Sequence, residues 1–315
     1  MKLYYFPIFS FLAFLLVGNS TYLPAQQVAI TIDDVPNTRI YQENNFQSRL
    51  LQKLDSLQVP VTIFINESLI YRPESTVKNF ELLHQWVQKP WVELGNHSFN
   101  HARYSAVGID SFAYEIEKGE AITRELARLH NKSLLYFRFP YNDLGKDSLQ
   151  QVKVRNFLNT NGYTIAPFTI ESSDWMFNYI YEHYLNENKS DKAKAIADLY
   201  LEKTLAYFDF YDSLSQLEYG RHVKQIYLCH DNKLNADYLD ILVNRLAEKG
   251  YQFISMEEAM QDEVYHQANN YYQKWGISWF YRWMPAQKQR LPWMRREPDI
   301  QAVIELYNEL TKANQ

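Results

Sequence analysis

Short apolar runs alternate with longer amphipathic stretches along most of this chain. Seven runs rich in β-branched and aromatic residues are predicted to be strands. These runs are residues 28–32, 61–65, 91–94, 134–139, 163–168, 224–229 and 251–255. Between them, helices are predicted near residues 43–57, 76–89, 110–130, 147–160, 193–216 and 236–248. Because strands that alternate with helices pair in parallel through crossover connections, the pattern predicts an α/β fold.

The number of strand–helix units favours a barrel over an open sheet, although periodicity alone leaves both open. Two regions depart from the alternation. The interval before the sixth strand holds two predicted helices, which indicates a helical insertion at about residues 176–220. Beyond residue 260, four of the seven tryptophans are crowded among Arg and Lys residues, and a closing helix is predicted at 298–312. We therefore divide the chain into a main domain at 26–260 and a C-terminal extension at 261–315.

The composition is that of an ordinary globular protein. The chain has 315 residues, of which 46% are hydrophobic and 22% charged, so it can bury a large core in one domain, or in one domain with an appendage. Its net charge of −5 gives no reason to expect nucleic acid or an anionic membrane as a partner. Aromatic residues make up 16% of the chain, which suits a sugar-facing surface and internal packing equally well.

The first 25 residues, 1–25, are predicted to be a signal peptide. Lys2 precedes an apolar run at 3–17, and cleavage is predicted after Ala25. The run is short for a membrane-spanning helix, so no stable span is expected after cleavage, although an uncleaved anchor stays open. The sequence thus predicts an exported protein, periplasmic or secreted. Cys229 is the single cysteine, so export does not imply disulfide bonds here.

Polar side chains collect where the predicted strands end. In a parallel α/β fold these ends converge on one face, so residues there are natural site candidates. In chain order the ends are TIDD, ELGNHSFNH, RFPYN, SSDW and LCHD. Each contributes a group that hydrolytic chemistry uses, but each by itself is also an ordinary strand end. For TIDD, the plain alternative is a strand followed by an Asp-Val-Pro turn.

His97 and His101 are four residues apart in the second of these segments. If a helix starts there, both imidazoles lie on one face and can chelate one metal ion. One added carboxylate gives a His₂Asp set that leaves positions open for water and substrate, as a catalytic site requires. A lone pair of histidines at this spacing is structural at least as often as it binds metal.

The last three segments are weaker when each is taken separately. Arg138 ends a strand and is suited to hold a carboxylate in a bidentate pair, although a surface arginine is the commoner case. Asp174 beside Trp175 is by itself a loop, and His230 after an apolar strand is by default a structural histidine. Cys229 alternates to the other side of that strand, so we expect it in the core rather than as a nucleophile.

Together the five segments resemble the five sequence motifs of the polysaccharide deacetylases of carbohydrate esterase family 4, the NodB-homology domain. They occur in the family's order, each at a predicted strand end, and span roughly residues 28–255. The resemblance implies a distorted (β/α) barrel, here of about seven parallel strands. It also implies metal-dependent removal of acetyl groups from N-acetylated sugars, or of O-acetyl groups from xylan.

The resemblance assigns Asp34, His97 and His101 as ligands of a divalent metal ion. Zn²⁺ is the foremost candidate, with Co²⁺, Ni²⁺ or Mn²⁺ as alternatives. The first motif commonly continues Asp-Asp-Gly-Pro in this family, whereas this chain has Val35 in the glycine position. Since neighbouring side chains on a strand point in opposite directions, we expect the turn at Val35 and the following proline to bring both aspartates to one site.

Four residues are assigned to proton transfer by the same resemblance. Asp33 would be the catalytic base, oriented and kept ionised by Arg138. His230 would be the general acid, paired with Asp174.

Three further residues are assigned to the substrate pocket. The Tyr141 backbone N–H would help to hold the oxyanion, and Trp175 and Leu228 would line the acetate pocket. The insertion and the extension are unlike a minimal domain of the family, and either could shape the substrate groove. For the extension, packing against the barrel is favoured over sugar binding, because aromatic clusters are more often buried than exposed.

Three functions fit parts of this pattern. The first is an exported metal-dependent deacetylase of an acetylated glycan, with N-acetylated peptidoglycan or chitooligosaccharide foremost and O-acetyl xylan as an alternative. The second is a glycan-binding protein on the same fold whose activity has lapsed, and the complete set of proton-transfer residues argues against it. The third, a metal hydrolase of phosphate esters, would need a second metal or more basic residues, and the motifs offer neither.

Overall fold

A computed structural model of the chain describes residue 1, residues 26–72 and residues 75–313. Apart from Met1, the predicted signal peptide lies outside the described residues. Within the described part, no helix combines the length and the apolar character needed to cross a bilayer. The chain folds around one parallel β-sheet, and most of the candidate site residues lie at or just beyond the ends of its strands.

The described residues form eight strands and thirteen α-helices. The strands are β1 Gln27–Val35, β2 Val61–Ile65, β3 Val92–Asn96, β4 Leu134–Phe137, β5 Thr164–Ile165, β6 Ile170–Glu171, β7 Gln225–His230 and β8 Gln252–Phe253. The helices are α1 Thr38–Glu43, α2 Arg49–Leu57, α3 Thr76–Val87, α4 Tyr104–Lys118, α5 Ala121–Leu129, α6 Ser148–Thr160, α7 Asp174–Asn186, α8 Ser190–Tyr219, α9 Lys233–Glu248, α10 Met256–Ala259, α11 Trp279–Trp283, α12 Gln287–Met294 and α13 Gln301–Ala313. Short 3₁₀ helices occur at Glu67–Tyr71, Pro140–Asn142 and Glu263–His266.

All described strand pairs are parallel, in the order β5-β4-β3-β2-β1-β7-β6, with β8 also paired to β1. The sheet curls into a distorted (β/α) barrel, which confirms the predicted fold. Each of the seven predicted strands is present, and β6 is the strand that the sequence did not reveal. It has only two residues, too few to show any periodicity.

Alternate side chains along β1 face two different environments, the barrel interior and the core between the sheet and the helices. Val28 and Ile30 pack in the main core, between the sheet and the helices. Ala29 belongs to a smaller cluster on the opposite face. Because residues two apart on a strand share a face, Thr31 and Asp33 lie on the same side as Ala29. The barrel interior therefore becomes polar toward the end of β1, where the site lies.

Two of the predicted helices differ from their expected bounds. The helix predicted at 43–57 begins only at Arg49, as α2, because Ser48 caps it with its side-chain oxygen. The helix predicted at 110–130 is α4 and α5, which meet at Gly119. A β-carbon on Gly119 would lie 2.6 Å from the Ser98 carbonyl carbon, so only glycine lets this junction pack against the loop that carries the candidate histidines.

The C-terminal extension lies over the place where the barrel stays open. No described residues pair β5 with β6. Ser278 crosses this gap and donates a hydrogen bond from Oγ to the Thr169 carbonyl at 2.7 Å. Gly276 lies so near the 3₁₀ helix of the third motif that a β-carbon on it would be 2.6 Å from the Tyr141 carbonyl oxygen. The extension thus contacts a candidate site loop directly.

Candidate active site

A distortion in β1 brings the two aspartates of the first motif to one site. Asp33 pairs in register with His230 on β7. Near the end of β1 the register with β2 shifts, and Asp34 there has a left-handed backbone, with φ of 62°. Asp33 Oδ2 and Asp34 Oδ1 consequently lie 3.8 and 3.7 Å from the same atom, His97 Nε2. The change of direction is at Asp34 itself, one residue before the turn expected from the sequence.

A loop, not a helix, brings His97 and His101 together. The segment between β3 and α4 has left-handed backbone at Ser98 and His101, so no helix starts there, yet the two imidazole centroids are 5.0 Å apart. Asn66 donates to the His97 carbonyl at 2.6 Å, and Asn96 Oδ1 accepts from the Ser98 N–H at 2.7 Å. Two buried asparagines therefore fix the loop that presents both histidines.

Asp34, His97 and His101, which we call the ligand cluster, carry donors suited to a metal ion. One ligand atom from each lies within 4.8 Å of the others. The Arg138 carbonyl lies 2.8 Å from His97 Nδ1 and can only accept a hydrogen bond, so the Nε2 lone pair is left for the cluster. Burial lowers the pKa of both imidazoles, that of His97 well below its ordinary value, which keeps them neutral and able to coordinate. Two imidazoles and a carboxylate fit Zn²⁺ with positions left for water and substrate.

Arg138 is buried beside Asp33, with Nη1 at 3.6 Å from Asp33 Oδ1. Its Nη2 donates to Thr31 Oγ1 at 3.2 Å and to the Pro167 carbonyl at 3.1 Å. The guanidinium also lies 4.4 Å from the Phe64 ring centroid, a cation–π contact. These contacts fix the guanidinium, so it acts on Asp33 through its charge rather than through a short bidentate pair.

The pKa of Asp33 is close to neutrality. Burial raises the pKa of this carboxyl, the charges of Arg138 and His230 lower it, and the carboxylates of Asp34 and Asp174 raise it, with a result of about 6. The arginine acts in the direction expected from the sequence, but burial outweighs it. A base whose pKa lies near the working pH both takes up and releases a proton readily.

His230 and Asp174 form a short pair at the next strand end. His230 Nδ1 lies 2.6 Å from Asp174 Oδ1, and the His230 backbone N–H donates to Asp174 Oδ2 at 2.9 Å. Burial by itself lowers the pKa of His230. The charge and the hydrogen bond of Asp174 raise this pKa by more than burial lowers it, and the resulting pKa is about 10. The imidazole therefore carries a proton at neutral pH, as a general acid must.

Two asparagines that sequence reasoning missed complete the surroundings of Asp174. Asn232 and Asn235 donate to Asp174 Oδ2 at 2.9 and 2.6 Å, which adds two donors to those of His230. Asn232 is also the N-cap of α9, because its Oδ1 accepts from the Asn235 N–H at 2.8 Å. An asparagine before a helical segment predicts such a cap. The sequence pattern does not reveal that the side-chain amide of Asn232 also donates a hydrogen bond to Asp174.

The three residues expected in the substrate pocket take different positions. Tyr141 has a left-handed backbone, with φ of 57°, and among the described residues its N–H has no acceptor, so it is available to a substrate oxygen. Its ring packs against His101 with centroids 4.5 Å apart. Trp175 is 46% exposed, whereas Leu228 is buried in the inner core cluster, two residues before His230. The role of Leu228 in an acetate pocket stays a prediction.

Part of this chain is similar to known proteins. The family model described as polysaccharide deacetylase matches residues 21–163. The chain thus resembles the polysaccharide deacetylases over just under half of its length. A Bacillus subtilis (strain 168) protein, YheN, whose name places it among the polysaccharide deacetylases, is 25% identical over 238 residues, which cover 74% of this chain and 68% of that protein.

Solved structures of deacetylase relatives share the fold. A carbohydrate esterase family 4 pseudoenzyme from Bacillus anthracis is 17% identical, with a TM-score of 0.52, and the match covers 76% of this chain and 66% of that one. A peptidoglycan N-acetylglucosamine deacetylase is 19% identical, with a TM-score of 0.51, and the match covers 74% and 87% of the two chains. Because one of these similar folds is a pseudoenzyme, catalysis by this chain has to be argued from its side chains.

The site opens onto a cleft of about 480 Å³. Asp34, His101, Trp175 and His230 line one part of it. It is also lined by the amides of Asn37, Asn66, Asn100 and Asn178 and by the guanidinium groups of Arg39 and Arg72. A cleft with so many hydrogen-bonding side chains suits the hydroxyl and acetamido groups of a glycan.

Proposed function

We propose that this chain is a metal-dependent hydrolase that removes acetyl groups from an acetylated glycan, with N-acetylated peptidoglycan or chitooligosaccharide foremost. The observation that carries the proposal is the position of Asp33 and the Asp174-bound His230 on adjacent strands, next to the ligand cluster. One group can accept a proton and the other can donate one, as amide hydrolysis requires. Export, predicted from the apolar N-terminal segment, would bring the protein to such a substrate.

The ligand cluster would hold the metal that this chemistry uses. A bound divalent cation would act as a Lewis acid and lower the pKa of water toward about 7. The chain itself supplies a donor for the oxygen that gains negative charge, because the Tyr141 N–H has no protein acceptor among the described residues. The tyrosine ring contacts His101, so this donor lies next to the cluster.

Asp33 and His230 divide the proton transfers between them. Asp33 accepts a proton as a water oxygen adds to the acetyl carbonyl carbon. His230 donates its proton to the sugar nitrogen as the C–N bond breaks, so that acetate leaves and an amine remains on the sugar. Asp174 holds Nδ1 of His230, which leaves Nε2 for the substrate. Cys229 is fully buried, and burial raises its pKa, so it takes no part as a nucleophile.

A protein that only binds sugars would not need both a buried general base and a protonated general acid. A base with a pKa of about 6 and a protonated imidazole with a pKa of about 10 lie on paired residues of neighbouring strands. Keeping Asp33 buried beside Arg138 costs desolvation free energy that a sugar-binding surface has no reason to incur. This cost supports hydrolysis over a lapsed, glycan-binding function.

Acetate release tests the proposal. The purified chain is incubated with N-acetylated peptidoglycan, chitooligosaccharide and acetylated xylan, first with added Zn²⁺ and then after chelation. We expect acetate from at least one N-acetylated glycan, loss of that activity on chelation, and its return when metal is restored. Glycan binding with no acetate from any substrate would instead support the lapsed function, and release from xylan alone would make the chain an O-acetyl esterase.

A further inference from the structure

A buried arginine of the C-terminal extension, Arg282, reaches the loop of the third motif. Its side chain is fully buried. Nη2 donates to the Asn142 carbonyl at 3.3 Å and to the Trp275 carbonyl at 3.0 Å. Nη1 donates to the Tyr271 carbonyl at 3.4 Å. One guanidinium thus joins the loop that follows β4 to two points of the extension.

Arg282 has no counter-ion in the described part of the chain. The acceptors of its guanidinium there are backbone carbonyls, and no carboxylate is paired with it. Burial lowers the pKa of Arg282 to about 10, which still leaves the side chain charged at neutral pH. A buried charge without an ionic partner costs desolvation free energy, which an apolar side chain in the same place would not. We therefore ask what the guanidinium holds in place.

The loop that Arg282 contacts has a backbone conformation that needs support. Tyr141 and Asn142 are consecutive non-glycine residues with φ of 57° and 51°. Left-handed residues of this kind persist only where the surrounding structure holds them. The Asn142 N–H donates to the Phe139 carbonyl at 2.8 Å within the loop, whereas the Asn142 carbonyl is held from outside, by Arg282. The guanidinium thus fixes the peptide group that follows this left-handed pair.

Two further contacts tie the same loop to the extension. Gly276 lies so close that a β-carbon on it would be 2.6 Å from the Tyr141 carbonyl oxygen. Gln151 donates from Nε2 to the Gly145 carbonyl at 3.2 Å and to the Tyr271 carbonyl at 3.1 Å. The loop therefore packs against the extension at its left-handed pair and again at its far end.

We propose that Arg282 is a positioning residue for hydrolysis. By holding the Asn142 carbonyl, it keeps the preceding Tyr141 N–H in place beside the ligand cluster, where the acetyl oxygen gains negative charge. This inference rests on the proposed function, since the N–H stabilises an oxyanion only if a carbonyl is attacked. The family model ends at residue 163, so the match to the family does not supply this residue. The extension then supports the active site as well as covering the open side of the barrel.

Arg290 provides a matched control for the kinetic test. It is also buried, but its guanidinium donates to carbonyls within the extension alone, those of Tyr281, Asn270 and Met284. Arg282→Met and Arg290→Met should both lower the melting temperature. With the acetylated glycan that the wild type hydrolyses fastest, kcat should fall at least about tenfold in Arg282→Met while KM stays within about twofold, because the N–H binds the oxygen only as charge develops. Arg290→Met should keep kcat within about threefold of wild type.

Hydrogen exchange of the full chain measures the loop without turnover. The N–H groups of Asn142 and Asp143 donate to carbonyls inside the loop, at 2.8 and 3.2 Å, and so report its opening. They should exchange about tenfold faster in Arg282→Met than in the wild type, and at the wild-type rate in Arg290→Met. Arg282→Lys keeps the buried charge but reaches fewer carbonyls, so it should show smaller changes in both measurements. It supplies the same comparison if Arg282→Met does not fold.

The two measurements separate this inference from the proposed function. Wild-type kcat in the folded Arg282 variants, or an equal loss of kcat in Arg282→Met and Arg290→Met, would overturn the positioning role while leaving hydrolysis intact. Faster loop exchange with unchanged kcat would overturn it as well. A wild-type chain that releases no acetate would refute the proposed function, and the exchange rates would then decide whether Arg282 holds the loop.

Discussion

The catalytic cleft and the C-terminal extension are assembled in opposite ways. The cleft collects single side chains from the ends of several parallel strands, and short hydrogen bonds such as that between His230 and Asp174 fix them. The extension packs on the insertion helix α8 through aromatic side chains, such as Phe280 stacked on Tyr211 with ring centroids 5.8 Å apart. Sheet topology dictates where strand ends meet, so the first kind of site is readable from sequence. Packing between an insertion and an extension leaves no comparable local signal.

The same difference predicts how the two regions respond to substitution. Changes in the cleft should act on the rate of acetate release while the fold persists. Changes in the extension should act on acetate release and on stability together. Four experiments test this division, beginning with the largest expected effect.

Removal of one imidazole from the ligand cluster should abolish both metal binding and activity. We expect His97→Ala to contain almost no Zn²⁺ and to release acetate only at the background rate, because one imidazole and one carboxylate hold zinc poorly. Metal analysis of the purified protein measures the first effect. His84→Ala, which removes a partly buried histidine on α3, should keep both metal and activity. A His97→Ala chain with full metal content would show that the ligands are misassigned.

Asp33→Asn should leave the metal in place and lower acetate release by about 10²- to 10⁴-fold, the range for loss of a general base. Because the neutral amide avoids the desolvation of a buried carboxylate, the melting temperature should not fall. Rate and thermal unfolding are measured on one preparation. A rate within tenfold of wild type would remove Asp33 from the role of base.

Asp174→Asn should lower the rate about 10²-fold and change its pH dependence. In the wild type the pKa of His230 is about 10, since Asp174 raises it by more than burial lowers it. Without that charge burial remains, so the pKa falls and the imidazole loses its proton at lower pH. The alkaline limb of kcat should therefore move to lower pH by at least about one unit. An unshifted alkaline limb would mean that His230 is not the acid, and NMR titration of its imidazole provides the direct check.

Gly276→Ala should produce the smallest effect and the one that connects the two regions. The added β-carbon would lie 2.6 Å from the Tyr141 carbonyl oxygen, so the third-motif loop or the extension must move. We expect kcat/KM to fall about tenfold and stability by about 1–3 kcal/mol. Gly250→Ala, at φ of 90° beyond the end of α9, should cost about 1 kcal/mol without affecting kcat/KM. Equal loss of activity in both variants would mean that only stability matters.

The sequence predicts the barrel well because its signal is local and repeated. Each of the longer strands coincides with a separate run that is rich in β-branched or aromatic residues, and parallel pairing follows from the helices between the runs. β6 was not predicted because its two residues are too few to show a periodicity. The division of the helix predicted at 110–130 escaped because it depends on a contact between Gly119 and the distant Ser98 backbone.

The sequence predicts which residues form the site better than it predicts how they are arranged. Asp34 lies among β-branched neighbours, and nothing local indicates its left-handed backbone. The histidine spacing suggested a helix, whereas Asn66 holds a loop through a contact with another strand end. The pKa of Asp33 depends on burial, a property of the whole fold that the presence of Arg138 does not reveal. Sequence motifs do not predict the geometry or the pKa of side chains that depend on tertiary contacts.

The position of β7 has a consequence for when the protein becomes active. All three members of the ligand cluster precede residue 102, whereas Asp174 and His230 come much later in the chain. β7 lies between β1 and β6, so the strand that carries the acid enters the middle of the sheet rather than its edge. During synthesis, all three metal ligands are therefore made before the acid. A growing chain cannot release acetate until this central strand has been added to the sheet.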